Sequence, residues 1–99
     1  MKIFISGPMT NDPNYKEKFF NASIYLKEKF PKAVILNPAI LPEGLSDIEY
    51  MNIDLTMLKL CDIIYMLDGF EESKGANLEL HYAQYFNKTI IYQEGKLNG

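Results

Sequence analysis

The chain reads as a small α/β protein built on a single doubly wound parallel sheet, with about four strands in the order 2-1-3-4. Three observations predict it. Short, nearly continuous apolar segments alternate with longer segments whose apolar residues recur at helical spacing, giving β-α-β-α-β-α-β. Strands that lack polar alternation belong between two helix layers, the setting of a parallel sheet. Right-handed crossovers then leave few arrangements, of which the flavodoxin- or Rossmann-like order is the simplest.

Each element has its own justification. Lys2 to Ser6 (K-I-F-I-S) is a short buried strand that Gly7-Pro8 ends. T-N-D-P-N is a loop, and Asn14 with Glu17 three residues later reads as a helix N-cap. Tyr15, Phe19, Ala22, Leu26 and Phe30 keep helical spacing until Pro31 closes the helix. Ala33 to Leu36 is a second strand, followed by a Pro- and Gly-bearing loop from Asn37 to Leu45. Ser46 with Glu49 opens a helix that carries Ile48, Met51, Leu55 and Leu58 on one face. Asp62 to Leu67 is the third strand, broken by Asp68-Gly69. A third helix runs to about Phe86, and Lys88 to Tyr92 is the last strand. Residues 1–92 form one domain and residues 93–99 (Q-E-G-K-L-N-G) a polar tail.

Composition narrows the function. Ninety-nine residues, 47% hydrophobic and 23% charged, suffice for one buried core. The net charge is −3, and ten lysines with no arginine are spread along the chain, so a nucleic-acid polymer has no basic footprint to bind. No apolar run approaches the roughly 20 residues that span a bilayer. No signal peptide is evident, and a single cysteine suits a reducing compartment, so the expected address is the cytoplasm. One Cys (Cys61) and one His (His81) cannot build a zinc site, and neither G-x-x-x-x-G-K-[ST] nor G-x-G-x-x-G occurs. No metal and no cofactor are expected.

Two acids stand where apolar residues would be expected. Glu79 lies at offsets that put it on or beside the stripe of Ala76, Leu80 and Ala83. Asp54 stands between Met51 and Leu58 on the preceding helix. An ionised carboxylate there loses hydration unless it is paired or lines a cavity. Either acid could be a helix-surface group at the rim of the core. Two carboxylates converging at one sheet edge also suit glycosidic chemistry, one as nucleophile and one as acid–base. Three loops meet at that edge, in the crevice between strands 1 and 3 where ligands of such sheets bind. Ser6-Gly7-Pro8-Met9-Thr10 supplies small residues and two hydroxyls. Asn37-Pro38 follows strand 2, and Asp68 begins the loop after strand 3. Ser73-Lys74-Gly75 opens the third helix, where free N–H groups favour an anion, although Ser73 equally suits a plain N-cap. Cys61 reads as a small buried residue, His81 as a surface or interface group, and Tyr82, Tyr85 and Tyr92 as core or interface aromatics.

Taken together, I-S-G-P-M-T, Asn37-Pro38, D-L-x-x-L-x-x-C-D from Asp54 to Asp62 and D-G-F-x-x-S-K-G-A-x-x-E-x-x-x-A from Asp68 to Ala83 resemble a known family. It is a domain of unknown function found in phages and bacteria, placed in the nucleoside 2-deoxyribosyltransferase superfamily. More faintly, the chain also resembles the superfamily's 2′-deoxynucleoside 5′-phosphate N-hydrolases. The resemblance covers roughly residues 2 to 92. It implies that Glu79 attacks C1′ of a deoxyribose and that Asp54 protonates or orients the departing base. Ser73 falls where a serine of the nucleotide hydrolases helps hold the 5′-phosphate. The chain departs from the superfamily at Phe4, in place of a tyrosine, and at Thr10, in place of the hydrolases' basic residue.

The expected function is N-glycosidic cleavage or deoxyribosyl transfer on a nucleoside or nucleotide. Glu79 and Asp54 are the catalytic candidates, and Ser6, Gly7, Pro8, Met9, Asn37, Asp68, Ser73 and Gly75 the substrate-binding ones. The alternative is a nucleotide-binding protein of the same fold without turnover. Phe20 and Ile24 on the first helix, and Tyr82 and Tyr85 on the third, fall outside the core stripes. Apolar groups left over in this way predict a homodimer or higher homo-oligomer through the helix from Lys74 to Phe86.

Overall fold

Four strands pair in parallel: β1 (Lys2–Ser6), β2 (Val34–Leu36), β3 (Ile63–Met66) and β4 (Thr89–Tyr92), in the order β2-β1-β3-β4. The computed structural model describes residues 1–93, so most of the expected polar tail (94–99) lies outside the described residues. Three helices, α1 (Tyr15–Lys29), α2 (Asp47–Lys59) and α3 (Lys74–Tyr85), connect the strands. Single 3-10 turns at Pro38–Ile40 and Phe70–Glu72 stand within the expected loops.

The pleat sorts the core into two layers. Ile3, Ile5, Ile63 and Tyr65 pack against Phe19, Ala22 and Leu26 of α1. The alternate residues Phe4, Ile64 and Met66 pack against Leu58 of α2 and Ala76, Leu80 and Ala83 of α3. One helix therefore covers one face and two cover the other, as a sheet with its switch point between β1 and β3 requires. Register pairs Phe4 with Ile64 and Ser6 with Met66, so Ser6 ends β1 on the α2–α3 face.

Helix ends follow local chemistry. Ser46 and Glu49 form the complete capping box expected for α2. Helix α3 ends in a Schellman arrangement: Asn87 is left-handed (φ 58°), Lys88 N–H donates to Ala83 O, and Asn87 N–H donates to Gln84 O. Two expectations are corrected. Asn14 makes no side-chain cap, because its backbone (φ −104°, ψ 17°) is not extended. Asp12 braces this end instead, its carboxylate accepting from the N–H of Asn14, the N-cap residue, at 2.9 Å and from Lys18 Nζ at 2.8 Å. Ile48 keeps the spacing of the α2 inner stripe but is 75% exposed, because the first turn of α2 lies at the carboxyl edge of the sheet. No helix among the described residues is long and apolar enough to cross a membrane.

Candidate active site

Packing forces Glu79 inward. The Ser73 hydroxyl accepts from Ala76 N–H at 3.1 Å and fixes where α3 begins. Ala76, Leu80 and Ala83 then seat the helix on the sheet, and Glu79, on the same side, is left only 4% exposed. Across 73 residues of sequence, the Ser6 hydroxyl donates to Glu79 Oε1 at 2.6 Å. Asp54 is placed the same way on α2, one turn before the fully buried Leu58, and is 7% exposed. Its carboxyl lies close enough to that of Glu79 for each to affect the other's proton affinity. Its Oδ1 is buried and has no partner among the described residues.

Two carboxyls can bond to one another only if one of them carries a proton. Burial raises Glu79 well above the ordinary carboxylate range; the Ser6 hydroxyl opposes that shift, and the charge of Asp54 adds to it. Burial also raises Asp54, partly offset by the bond from Glu79. Both shifts run upward, so the two carboxyls resist being ionised together in the space between the two helices. Elsewhere the chemistry is quiet. Burial pushes the Cys61 thiol up to about 11, which leaves it a packing residue. Among the described residues, no cluster of three or more His, Cys, Asp or Glu side chains is placed to hold a metal ion.

The chain matches the family described as "Domain of unknown function (DUF4406)" over residues 1–92. The chain belongs to this family. Among solved structures, it resembles a "2-desoxiribosyltransferase from Leishmania mexicana", with 25% sequence identity and a TM-score of 0.70. That alignment covers 92% of this chain and 62% of the other, so the DUF4406 chain spans less than two thirds of that protein. No curated protein matches it in sequence.

The remaining candidates of this DUF4406 site divide into two groups. Close to the pair, a Cβ on Gly7 would lie 2.8 Å from Leu67 Cβ, so glycine is needed there for packing between the β1 and β3 loops. Pro8 meets Gly69, whose φ of 83° turns the chain out of β3. Gly75 brings the first turn of α3 against Met51, where a Cβ would stand 3.3 Å from Cε. Asp68 is exposed, and its N–H donates to the Gln93 side chain at 2.7 Å. Farther off, Met9 packs on the α1 layer. The Asn37 side chain accepts from Ala39 N–H at 2.9 Å, capping the 3-10 turn. Asn37 also lines a cleft of about 630 Å³ with Lys16, Phe20, Ile40 and Glu43, which neither Asp54 nor Glu79 borders.

One residue of this region was missed in the sequence. Asn77 Nδ2 donates to the carbonyls of Phe70 (3.3 Å), Glu71 (3.0 Å) and Ser73 (2.9 Å), tying the loop after β3 to α3. An asparagine four residues after a helix-capping serine was the available signal, since that spacing puts its side chain back over the first turn.

Proposed function

We propose that the chain cleaves or transfers the N-glycosidic bond of a nucleoside or nucleotide, most concretely of a 2′-deoxynucleoside. The observation that carries this reading is the buried, interacting pair of Glu79 and Asp54 at the carboxyl edge of the sheet, with Ser6 bonded to Glu79. Glu79, once its proton has passed to Asp54, attacks C1′; the C1′–N bond breaks and its electron pair goes to the base nitrogen. Asp54 gives its proton to that nitrogen, and Glu79 is left as a glycosyl ester. In the second half, water or another base attacks C1′, Asp54 takes up the acceptor's proton, and Glu79 is released.

The deoxyribosyltransferase likeness supports the same chemistry. Ser73 fits a phosphate-binding role because its oxygen accepts from Ala76 N–H while its own proton stays available to an anion. Assembly as a homodimer through α3 belongs to this reading, since Leu78, Tyr85 and Phe86 are 48%, 80% and 55% exposed. A non-catalytic nucleotide-binding role is the second reading, favoured by the near-complete enclosure of both carboxyls. A panel of nucleosides and their 5′-monophosphates, followed for both free base and bound ligand, separates the two. Base release supports the enzyme; stable binding without release supports the binder. Equal affinity for a nucleoside and its monophosphate would count against the role of Ser73.

A further inference from the structure

We propose that Ser6 is a positioning residue whose hydroxyl holds Glu79 Oε1, orienting the carboxyl and favouring its ionised form, rather than a residue that contacts the ligand. This rests on the reading of Glu79 as the nucleophile. The Ser6 hydroxyl is enclosed, with the residue 1% exposed, and its bond of 2.6 Å is in the short range of a hydroxyl donating to a carboxylate. It is carried by rigid backbone, because Ser6 is paired with Met66 and its carbonyl accepts from Leu67 N–H at 2.8 Å. A donor fixed on a strand defines an angle more sharply than one on a loop.

Phe4, two residues earlier on the same face of β1, is fully buried and brings no hydroxyl. Among the described residues, the groups that face the Glu79 carboxyl are the Asp54 carboxyl from α2 and the Ser6 hydroxyl from β1. Burial and Asp54 oppose the charge on Glu79, and Ser6 favours it.

The test is Ser6→Ala, which keeps the packing volume nearly intact, with Ser6→Cys as a near-isosteric variant bearing a weak donor. Removing a hydrogen bond to a charged group should lower kcat for base release about 10- to 100-fold at neutral pH, with KM little changed. The acid limb of the pH–rate profile should move to higher pH in Ser6→Ala, and less so in Ser6→Cys. In parallel, carbon NMR of carboxyl-labelled glutamate reads the Glu79 titration directly, with Glu79→Gln identifying its resonance. An upward move of that titration in Ser6→Ala is expected whether or not the parent turns over. A moved resonance in a parent that releases no base would uphold Ser6 and overturn only the glycosidic reading. An unmoved resonance, or an unmoved acid limb in an active parent, would overturn the proposal.

Discussion

A carboxyl that is raised by burial has a signature in stability as well as in catalysis. Glu79 sits above its unfolded-state value, so the native state binds more protons than the unfolded state between the ordinary carboxylate range and the raised value. Its contribution is therefore fully present below the ordinary range and is lost as pH rises through the raised value. Glu79→Gln removes that loss. Its amide still offers Ser6 an acceptor and carries no charge to bury. We expect this variant to match the parent near pH 4 and to exceed it at pH 8 by about 1 kcal/mol, roughly 4–8 °C in Tm for a domain of this size. Thermal denaturation at the two pH values checks this, and a lower Tm at pH 8 would speak against the buried pair. The inward position of Glu79 was readable from its offsets to Ala76, Leu80 and Ala83. Its bond to Ser6 was not, because periodicity along a helix carries no information about a strand 73 residues away.

At the scale of elements, α3 and the turn before it act together. Asn77 binds three carbonyls of the 70–73 segment, and Phe70 stacks on Tyr92 of β4 with ring centroids 5.6 Å apart. Asn77→Ala should destabilise the fold by about 1 kcal/mol, since three part-buried or exposed carbonyls lose a shared donor. It should also speed amide exchange in residues 70–73 more than in β1. Urea denaturation and hydrogen exchange measure the two, and uniform protection in the variant would show that Asn77 is not the tie. Both capping serines, Ser46 and Ser73, were readable because N-cap chemistry is local. The start of α1 at Tyr15 was readable, but not that the Asn14 side chain makes no cap, because that depends on backbone angles the sequence does not show. The inner stripe of α2 was likewise extended one turn too far, to Ile48, because spacing does not show where the sheet ends.

At the scale of the whole molecule, the strand order followed from apolar strands and handed crossovers, which act on the entire chain and tolerate errors of a residue at each boundary. How the loops meet depends on side-chain packing such as Gly7 on Leu67, which no periodicity encodes. Assembly is open to a direct check. The exposed Leu78, Tyr85 and Phe86 lie on α3 and its C-cap, and the Tyr85 and Phe86 rings meet edge to face with centroids 5.0 Å apart. Sedimentation at micromolar concentration should give two or more chains, and Tyr85→Glu should shift the protein toward monomer; a parent mass of 11.4 kDa would refute the homodimer. The central claim, that Glu79 is a nucleophile, is tested most directly by base release from 2′-deoxynucleosides and their 5′-monophosphates by the parent and by Glu79→Ala. The account predicts release by the parent and a loss on the order of 10³-fold or more in a variant that remains folded. Release by Glu79→Ala within a few-fold of the parent would contradict it.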